Sequence, residues 1–271
     1  MATITETAPT AIQAVLNFYG PPPDGSQPYN IVYDVPEGTP TRNYQDNKVS
    51  VSVVDARGRE QEFSLDTNGF AFNNRDHGFS NWTDGDAIKA EYYPDVIDAV
   101  KSATGAAEVI IFDHTIRTKD GYRNPVQFVH VDQTPWSASE RVRLHAPHRL
   151  EGILNGKRFQ IINYWKPLSG PVEEFPLALG DAKNMGPDDV VHVQHRYRDR
   201  NGETGSVKYN PGQEFYYLKG MNSDEEIFIK CYDSKQDVAI RTPHTAFVDP
   251  ESPANARPRE SIEVRTLVFY D

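Results

Sequence analysis

The sequence puts an imidazole and a carboxylate two positions apart, at His130 and Asp132, inside a Val-His-Val-Asp segment. Residues two apart on a β-strand point to the same face of the sheet, so these side chains lie together if the segment is extended. A histidine and a carboxylate are two-thirds of a facial triad, the ligand set that leaves positions of a non-haem Fe(II) ion open. Because so short a motif also arises by chance, the alternative is a histidine paired with an aspartate on a sheet surface.

A third metal ligand is available far downstream, at His244 in a Thr-Pro-His-Thr segment. Pro243 fixes its own φ angle, and we expect His244 at the head of a strand near the end of the barrel. The other interpretation of His244 is a loop histidine without a ligand role.

Four polar side chains alternate along the last predicted strand and share one face: Arg259, Ser261, Glu263 and Arg265. The pattern assigns Ile262, Val264 and Leu267 to the opposite face. A polar face of this kind predicts either a solvated surface or the lining of a polar cavity. In a cavity, an arginine can bind a carboxylate through two parallel hydrogen bonds, and the Ser261 hydroxyl would add another.

One long helix is predicted over residues 84–102, with Thr83 or Asp84 as its N-cap and Gly105 after its end. Pro94 falls inside this helix and is expected to kink it or split it in two. Residues 137–154 predict two short helices around Pro147.

Most of the remaining chain predicts short strands separated by turns, which is typical of a sandwich or a double-sheet jelly roll. The first forty residues predict an irregular surface arm, and residues 48–54 and 61–65 predict a hairpin. Asn201-Gly202 is the strongest hairpin-turn signal in the chain. We predict one domain over residues 1–271, in which residues 1–105 (arm, hairpin and helix) pack on a β-core formed by residues 106–271. The further predicted strands cover residues 108–112, 126–132, 158–165, 190–197, 205–209, 214–218, 226–232 and 261–270.

Composition excludes several classes of function. The 271 residues carry 28 Lys and Arg against 39 Asp and Glu, a net charge of −11, which argues against a nucleic-acid partner. No apolar run is long enough to span a membrane. The N-terminus lacks the pattern of a secretory signal, so a cytoplasmic location is the simplest prediction. The single cysteine, Cys231, excludes a disulfide framework and a thiolate zinc site.

The order His-x-Asp, distal His, Arg-x-Ser is far more specific than any of its parts. In this order the chain resembles the Fe(II)/2-oxoglutarate-dependent dioxygenases, which have a double-stranded β-helix (jelly-roll or cupin-like) core. It is most similar to the fungal hydroxylase/desaturases of secondary metabolism, which include aspergillic-acid hydroxylase-like, gibberellin desaturase-like and cephalosporin methoxylase accessory-chain-like proteins. The resemblance runs from about Leu16 to Tyr270. The segments that carry it are 112–117 (FDHTIR), 129–134 (VHVDQT), 158–167 (RFQIINYWKP), 207–212 (VKYNPG), 231–234 (CYDS), 242–247 (TPHTAF) and 258–265 (PRESIEVR).

The resemblance implies that His130, Asp132 and His244 hold Fe(II) and form the catalytic centre. It also implies that a basic residue after the distal histidine binds the C5 carboxylate of 2-oxoglutarate. Arg259 with Ser261 fits the Arg-x-Ser form of this site, while Arg265 and Arg257 remain possible. Asn163 and Trp165 lie on one face of a predicted strand and are expected to line the cavity; plain core packing is the alternative for Trp165. His114 and Arg117 either border the site or lie at the surface.

The resemblance implies an oxidoreductase with Fe(II), 2-oxoglutarate and O2, which abstracts a hydrogen atom from a small-molecule metabolite. The product would be hydroxylated, desaturated, oxidatively cyclised or endoperoxidised. One alternative is a metal-dependent cupin-like isomerase, lyase or hydrolase that works without 2-oxoglutarate. Another is a non-catalytic protein that binds a metabolite or another chain. The proline-rich N-terminal arm would suit a homodimer.

Overall fold

The computed structural model describes residues 10–118 and 125–271 and consists of two β-sheets with helices beside them. One sheet has nine strands in the order β1-β3-β11-β8-β13-β6-β10-β9-β2, and the other has five in the order β4-β12-β7-β14-β5. The strands are β1 (Ala11–Gly20), β2 (Tyr29–Ile31), β3 (Gln45–Asp55), β4 (Phe70–Asn74), β5 (Glu108–Arg117), β6 (His130–Val131), β7 (Phe159–Pro167), β8 (Leu177–Gly180), β9 (Val190–Arg196), β10 (Asn201–Val207), β11 (Phe215–Tyr217), β12 (Glu225–Asp233), β13 (His244–Ala246) and β14 (Ser261–Phe269).

The five-stranded sheet is buried on both faces, and β7 at its centre shows why. All nine residues of β7 are buried, as expected of a strand that is covered on both sides. Phe159, Ile161 and Trp165 pack between the two sheets with Leu177 and Leu179 of β8. Ile162 and Tyr164, which alternate with these residues along β7, pack on the other face of the sheet with the long helix. The predicted mainly-β fold with flanking helices is confirmed.

The long helix forms where the sequence predicts it. The Asp84 carboxylate accepts hydrogen bonds from two backbone N–H groups of the first turn, and Gly105 ends the helix with φ 69°. Pro94 follows a π-helical turn, and the backbone is helical at Tyr92 and Tyr93, so the helix changes type just before the proline and is not split in two. The segments are α1 (Gly85–Ala87), a π-helix (Ile88–Tyr92) and α2 (Tyr93–Thr104).

The two short helices predicted around Pro147 are also present. They are α3 (Pro135–His145) and α4 (Leu150–Leu154), joined by a 3₁₀ turn over Pro147–Arg149. Thr134 caps α3 by accepting the backbone N–H of Ser137. Among the described residues, no helix is both long enough and apolar enough to pass through a bilayer.

The prediction that the first forty residues form an irregular arm is wrong for residues 11–20, which form β1. This strand has ten residues, and Ile12, Ala14, Leu16 and Phe18 alternate inward from it as in a half-buried strand. The predicted hairpin of residues 48–54 with 61–65 is wrong as well. Strand β3 pairs with β1 on one side and runs parallel to β11 on the other, while Glu60–Glu62 is a 3₁₀ turn.

The β9–β10 hairpin exists, but Asn201-Gly202 is not its turn. Asn201 pairs with Arg196 inside the ladder, and the Tyr197 N–H donates to the Arg200 carbonyl at 2.9 Å to close the turn. A Cβ at Gly202 would lie 3.3 Å from the Tyr197 ring, so this ring packs closely over the glycine.

Two other differences concern strand faces and lengths. Leu267 packs between the sheets with Trp165, so its predicted place on the opposite face of β14 is wrong. It lies two residues after Arg265 and therefore shares the face of that side chain.

The predicted strand over residues 126–132 is reduced to β6, and β8 had no predicted counterpart. The division at residues 105 and 106 stays a prediction, although strands on both sides of it belong to both sheets.

Candidate metal centre

Strands β6 and β13 are neighbours, and His130 and His244 are paired directly across them. The centroids of the two imidazole rings are 4.4 Å apart. Asp132 follows β6 at once, and one ligand atom from each of the three residues lies within 4.8 Å of the others. The three predicted ligands are therefore brought together between the two sheets.

A glycine permits the close strand approach that seats β6. Gly205 on β10 pairs with Val131, and a Cβ at Gly205 would lie 2.4 Å from a methyl group of Val131 and 2.5 Å from one of Val190. A larger residue at this position would push β10 away from β6 and displace His130.

Both imidazoles are oriented by the same kind of hydrogen bond. Nδ1 of His130 donates to the Phe128 carbonyl at 2.7 Å, and Nδ1 of His244 donates to the Thr242 carbonyl at 3.1 Å. A carbonyl oxygen only accepts, so Nδ1 carries the proton and Nε2 is left as the ligand atom. The two Nε2 atoms face Oδ1 of Asp132 at 3.2 and 3.8 Å.

The second oxygen of Asp132 is held by the protein. Nδ2 of Asn163 donates to Oδ2 at 2.6 Å, while Sγ of Cys231 and Nε of Arg265 approach Oδ2 at 4.0 Å each. These contacts fix the rotation of the carboxylate, because Oδ2 is engaged and Oδ1 points to the imidazoles.

The electrostatics fit a metal-binding set. Burial raises the pKa of Asp132, but the His130 hydrogen bond and the charges of His244 and Arg265 outweigh burial, so this pKa lies well below its usual range. Burial lowers the pKa of His244. Burial also opposes protonation of His130, yet the hydrogen bond and charge of Asp132 raise its pKa. The raised pKa belongs to His130 with a proton on both nitrogens, and a metal ion bound at Nε2 takes the place of the proton that faces Asp132.

A cavity of about 90 Å³ adjoins the three residues. Three arginines line it, together with apolar side chains and one further carboxylate. Its lining residues are Arg117, Val126, His130, Asp132, Trp165, Leu177, His244, Ala246, Arg259, Glu263 and Arg265.

The three candidate arginines for 2-oxoglutarate differ in their partners. Arg265 is engaged by Asp113 and Thr115 at 3.1 and 3.0 Å and by a close ion pair with Glu263. Arg257 is more than half exposed and interacts with Glu173 outside the cavity. Neither guanidinium is free to receive another anion inside the cavity.

Arg259 is 8% exposed and forms no ion pair within the described part of the chain. It donates to the Phe175 carbonyl at 2.5 Å and lies over the Trp165 ring, 5.5 Å from the centroid. Its Nε is buried with no hydrogen-bond partner, and within residues 10–118 and 125–271 no carboxylate oxygen lies within 4 Å of the guanidinium. Burial and the charge of Arg117 lower the pKa of Arg259 to about 10, against the smaller opposing effect of the charges of Glu263 and Glu174, so it is still a cation at neutral pH.

The other predicted site residues are placed as follows. Trp165 forms a wall of the cavity, and Asn163 is buried and bonded to Asp132 rather than open to the cavity. Ser261 is buried at the start of β14 and is not among the lining residues. Arg117 lines the cavity, whereas His114 does not and instead bonds the Tyr93 hydroxyl at 2.6 Å.

Sequence reasoning missed Cys231 as a neighbour of Asp132. Opposite β7, Cys231 is the extra residue of a β-bulge between Lys230 and Tyr232, and a bulge redirects a side chain. No turn or spacing signal in the sequence marks this bulge. The two carbonyls that orient the histidines, at Phe128 and Thr242, are also invisible in the sequence because backbone groups carry no residue type.

Comparison with known proteins decides the family. Residues 16–269 match the family described as Oxidoreductase/YMDC permease-like domain. The chain is 33% identical over 275 residues to the alpha-ketoglutarate-dependent dioxygenase phiK of a fungal species, covering 96% of each chain. It is 32% identical to the hydroxylase/desaturase poxK of Penicillium oxalicum, covering 87% of this chain and 84% of that one. The chain belongs to the fungal Fe(II)/2-oxoglutarate-dependent dioxygenases of secondary metabolism.

A solved structure of this dioxygenase family supports the same conclusion. The iron and alpha-ketoglutarate-dependent endoperoxidase NvfI superposes with a TM-score of 0.88 at 30% identity, covering 97% of this chain and 99% of that one. The predicted jelly-roll core, the oxidoreductase class and the dependence on Fe(II) and 2-oxoglutarate are thereby confirmed for this dioxygenase.

Proposed function

We propose that this dioxygenase hydroxylates, desaturates or oxidatively cyclises a small-molecule secondary metabolite, with His130, Asp132 and His244 as its iron ligands. The observation that carries the proposal is the convergence of two Nε2 atoms on one carboxylate oxygen, beside a buried arginine that has no anion. Two nitrogen donors and one oxygen donor fit Fe(II). Iron with 2-oxoglutarate and O2 supplies the power to break an unactivated C–H bond.

We assign the C5 carboxylate of 2-oxoglutarate to Arg259. A buried cation without a counter-ion is costly, and a bidentate carboxylate relieves that cost. Trp165 holds the guanidinium plane from one side, and the Phe175 carbonyl holds it from another. Ser261 remains a predicted contributor at the start of the same strand. Arg265 helps to hold the proposed iron ligand Asp132 instead, because it approaches that carboxylate and is already paired with carboxylates.

Asn163 is a positioning residue for the metal ligand. By occupying Oδ2 of Asp132, it favours binding of the ion through Oδ1 alone and leaves room for the cosubstrate. His244 is buried, whereas the side chains of His130 and Asp132 are 19% and 18% exposed, so the ion would be reached from the side of these two ligands.

The unpaired Arg259 also separates this proposal from its alternatives. A cupin-like isomerase or lyase needs a metal but has no use for a buried cation reserved for a dicarboxylate, and a non-catalytic binding protein needs neither. The related proteins are named hydroxylase/desaturase and endoperoxidase, so the type of oxidation in this chain is left to experiment.

The proposal covers the substrate class, while the location and the oligomeric state rest on the sequence. The substrate is a small molecule, and the net charge of −11 disfavours a nucleic acid. A cytoplasmic location and a homodimer stay predictions of the sequence.

The test is O2-dependent conversion of 2-oxoglutarate to succinate by the Fe(II)-loaded protein across a panel of fungal metabolites. A product that gains one oxygen atom indicates hydroxylation, one that gains two indicates endoperoxidation, and one that loses two hydrogen atoms indicates desaturation or ring closure. His130→Ala should abolish succinate formation while the protein stays folded. Unchanged turnover in His130→Ala would remove the assignment.

A further inference from the structure

A second cavity lies beside the metal cavity. It is a groove of about 540 Å³, which we call the β1 groove; its walls are residues 13–15 and 17 of β1, Asp46 and Lys48 of β3, and Gln127, Ala246, Val248 and Pro250. Ala246 lines both cavities. The two cavities also meet at a second chain segment: Val126 lines the metal cavity and the next residue, Gln127, lines the groove. The two spaces are therefore neighbours, and His244 lies on the same strand as Ala246, two residues away.

The sizes of the two spaces suggest different occupants. Binding sites for drug-sized molecules measure roughly 300–1,000 Å³, a range that includes the groove and excludes the metal cavity of about 90 Å³. The metal cavity is lined by three arginines and suits a dicarboxylate. A metabolite of several rings needs additional space, and the β1 groove offers it beside the iron ligands.

The groove has an exposed apolar part. Val15 and Val248 are each 59% exposed, and Val126 at the boundary is 44% exposed. Apolar side chains gathered on a surface commonly mark a binding site, and these three are among nine exposed large apolar side chains in the described part of the chain.

The polar groups of the groove specify the chemistry of its occupant. Asp46 and Lys48 supply one charge of each sign, and Asp46 is engaged by Asn17 and Arg42 at 2.9 Å each. Gln13 and Gln127 supply amides that both donate and accept hydrogen bonds. The groove thus has no net charge, in contrast to the arginine-rich metal cavity.

We propose that the β1 groove binds the body of the oxidised substrate, and that this substrate is an uncharged, predominantly apolar metabolite of drug size with hydroxyl, carbonyl or amide groups. This inference rests on the proposed function. The groove holds the apolar body, the reacting carbon reaches past Ala246 to the iron, and the anionic cosubstrate stays at Arg259.

The experiment measures binding of Nile red, a neutral polycyclic dye, to the protein loaded anaerobically with Fe(II) and 2-oxoglutarate. Val15→Asp and Val248→Asp place a charge in the groove, and Val32→Asp makes the same change at a valine that is 46% exposed elsewhere. We expect the two groove variants to weaken dye binding about tenfold or more, with no change in Val32→Asp. Once a substrate is found, its KM should rise by a similar factor in the groove variants, and the KM for 2-oxoglutarate should not change.

Two results would overturn the inference. One is equal dye binding by the wild type and the groove variants. The other is a wild-type dimer that does not bind the dye and that Val15→Asp or Val248→Asp splits into monomers in sedimentation, because the groove is then covered by a second copy of the chain. The visible charge-transfer band of the Fe(II)–2-oxoglutarate complex separates this failure from that of the proposed function. The band depends on the metal cavity alone and should be present in all these variants.

Discussion

On its two faces the five-stranded sheet carries two groups of buried charges, an ion cluster around Lys230 and the guanidinium of Arg259, which are satisfied differently. On the helix-facing side, Nζ of Lys230 contacts Asp233 at 2.7 Å and Asp66 at 2.8 Å, and Arg158 binds the same two carboxylates. On the side facing the other sheet, Arg259 has no carboxylate partner among the described residues.

This contrast separates buried charges that stabilise the fold from buried charges that are available to bind a ligand. Buried polar groups are nearly always paired, so a paired network is explained by the fold alone. Arg259 lies in the same cavity as two imidazole nitrogens that meet one carboxylate oxygen, and a metal ion with an anionic cosubstrate would satisfy both.

The largest effect is expected for the iron ligand Asp132. Asp132→Ala should lower succinate formation by at least about 1,000-fold, because an oxygen donor of the metal is lost. The free energy of unfolding measured in urea should hardly change. A variant that keeps a tenth of the wild-type turnover would contradict the role of Asp132.

Lys230→Met should show the opposite pattern. The buried Asp233 loses one of its two cations, so the free energy of unfolding should fall by about 2 kcal/mol, less than the 3–5 kcal/mol of an isolated buried pair because Arg158 remains. Turnover at low temperature, where the variant is folded, should stay within about twofold of the wild type. A loss of turnover in folded Lys230→Met would erase the contrast between the two faces.

Replacing the unpaired arginine should affect the cosubstrate. Arg259→Met should raise the KM for 2-oxoglutarate by roughly 10–100-fold, the value of a charge-assisted contact of about 1.5–3 kcal/mol. Arg257→Met is the matched control and should leave this KM unchanged, because Arg257 is exposed and outside the cavity. Equal effects of the two substitutions would sink the assignment of Arg259.

A smaller effect is expected for the positioning residue. Asn163→Ala should weaken Fe(II) binding, followed by calorimetry without O2, by about 10-fold, near the lower end for residues that orient metal ligands. Gln160→Ala on the same strand is the control, since Gln160 bonds Asp233 on the other face. If Gln160→Ala weakens Fe(II) binding as much as Asn163→Ala does, the effect is general destabilisation rather than positioning.

The sequence points to the three candidate ligands, which the structure brings together, through a local pair and through the order of motifs that resembles a known family. His130 and Asp132 are two apart, and His244 follows a proline at the head of a strand. The choice between Arg259 and Arg265 could not be made in the same way. Their types and faces are alike, and only tertiary contacts show that Arg265 is paired while Arg259 is not.

The errors in the fold have similar physical causes. Strand β1 alternates apolar and polar residues, yet the proline- and glycine-rich stretch that follows it dominated the prediction for the first forty residues. The wrong hairpin partner of β3 reflects long-range pairing with β1 and β11, which no short-range turn signal reports. The bulge at Cys231 depends on register across two strands and is not encoded by any single residue.

The most direct test of the central claim is a crystal structure of the protein soaked with Fe(II) and 2-oxoglutarate without O2, with iron located by anomalous scattering. The account predicts iron bound by Nε2 of His130, Nε2 of His244 and Oδ1 of Asp132, with the C5 carboxylate of 2-oxoglutarate on Arg259. Iron at any other position, or 2-oxoglutarate bound to Arg265 with Arg259 still lacking an anion, would contradict it.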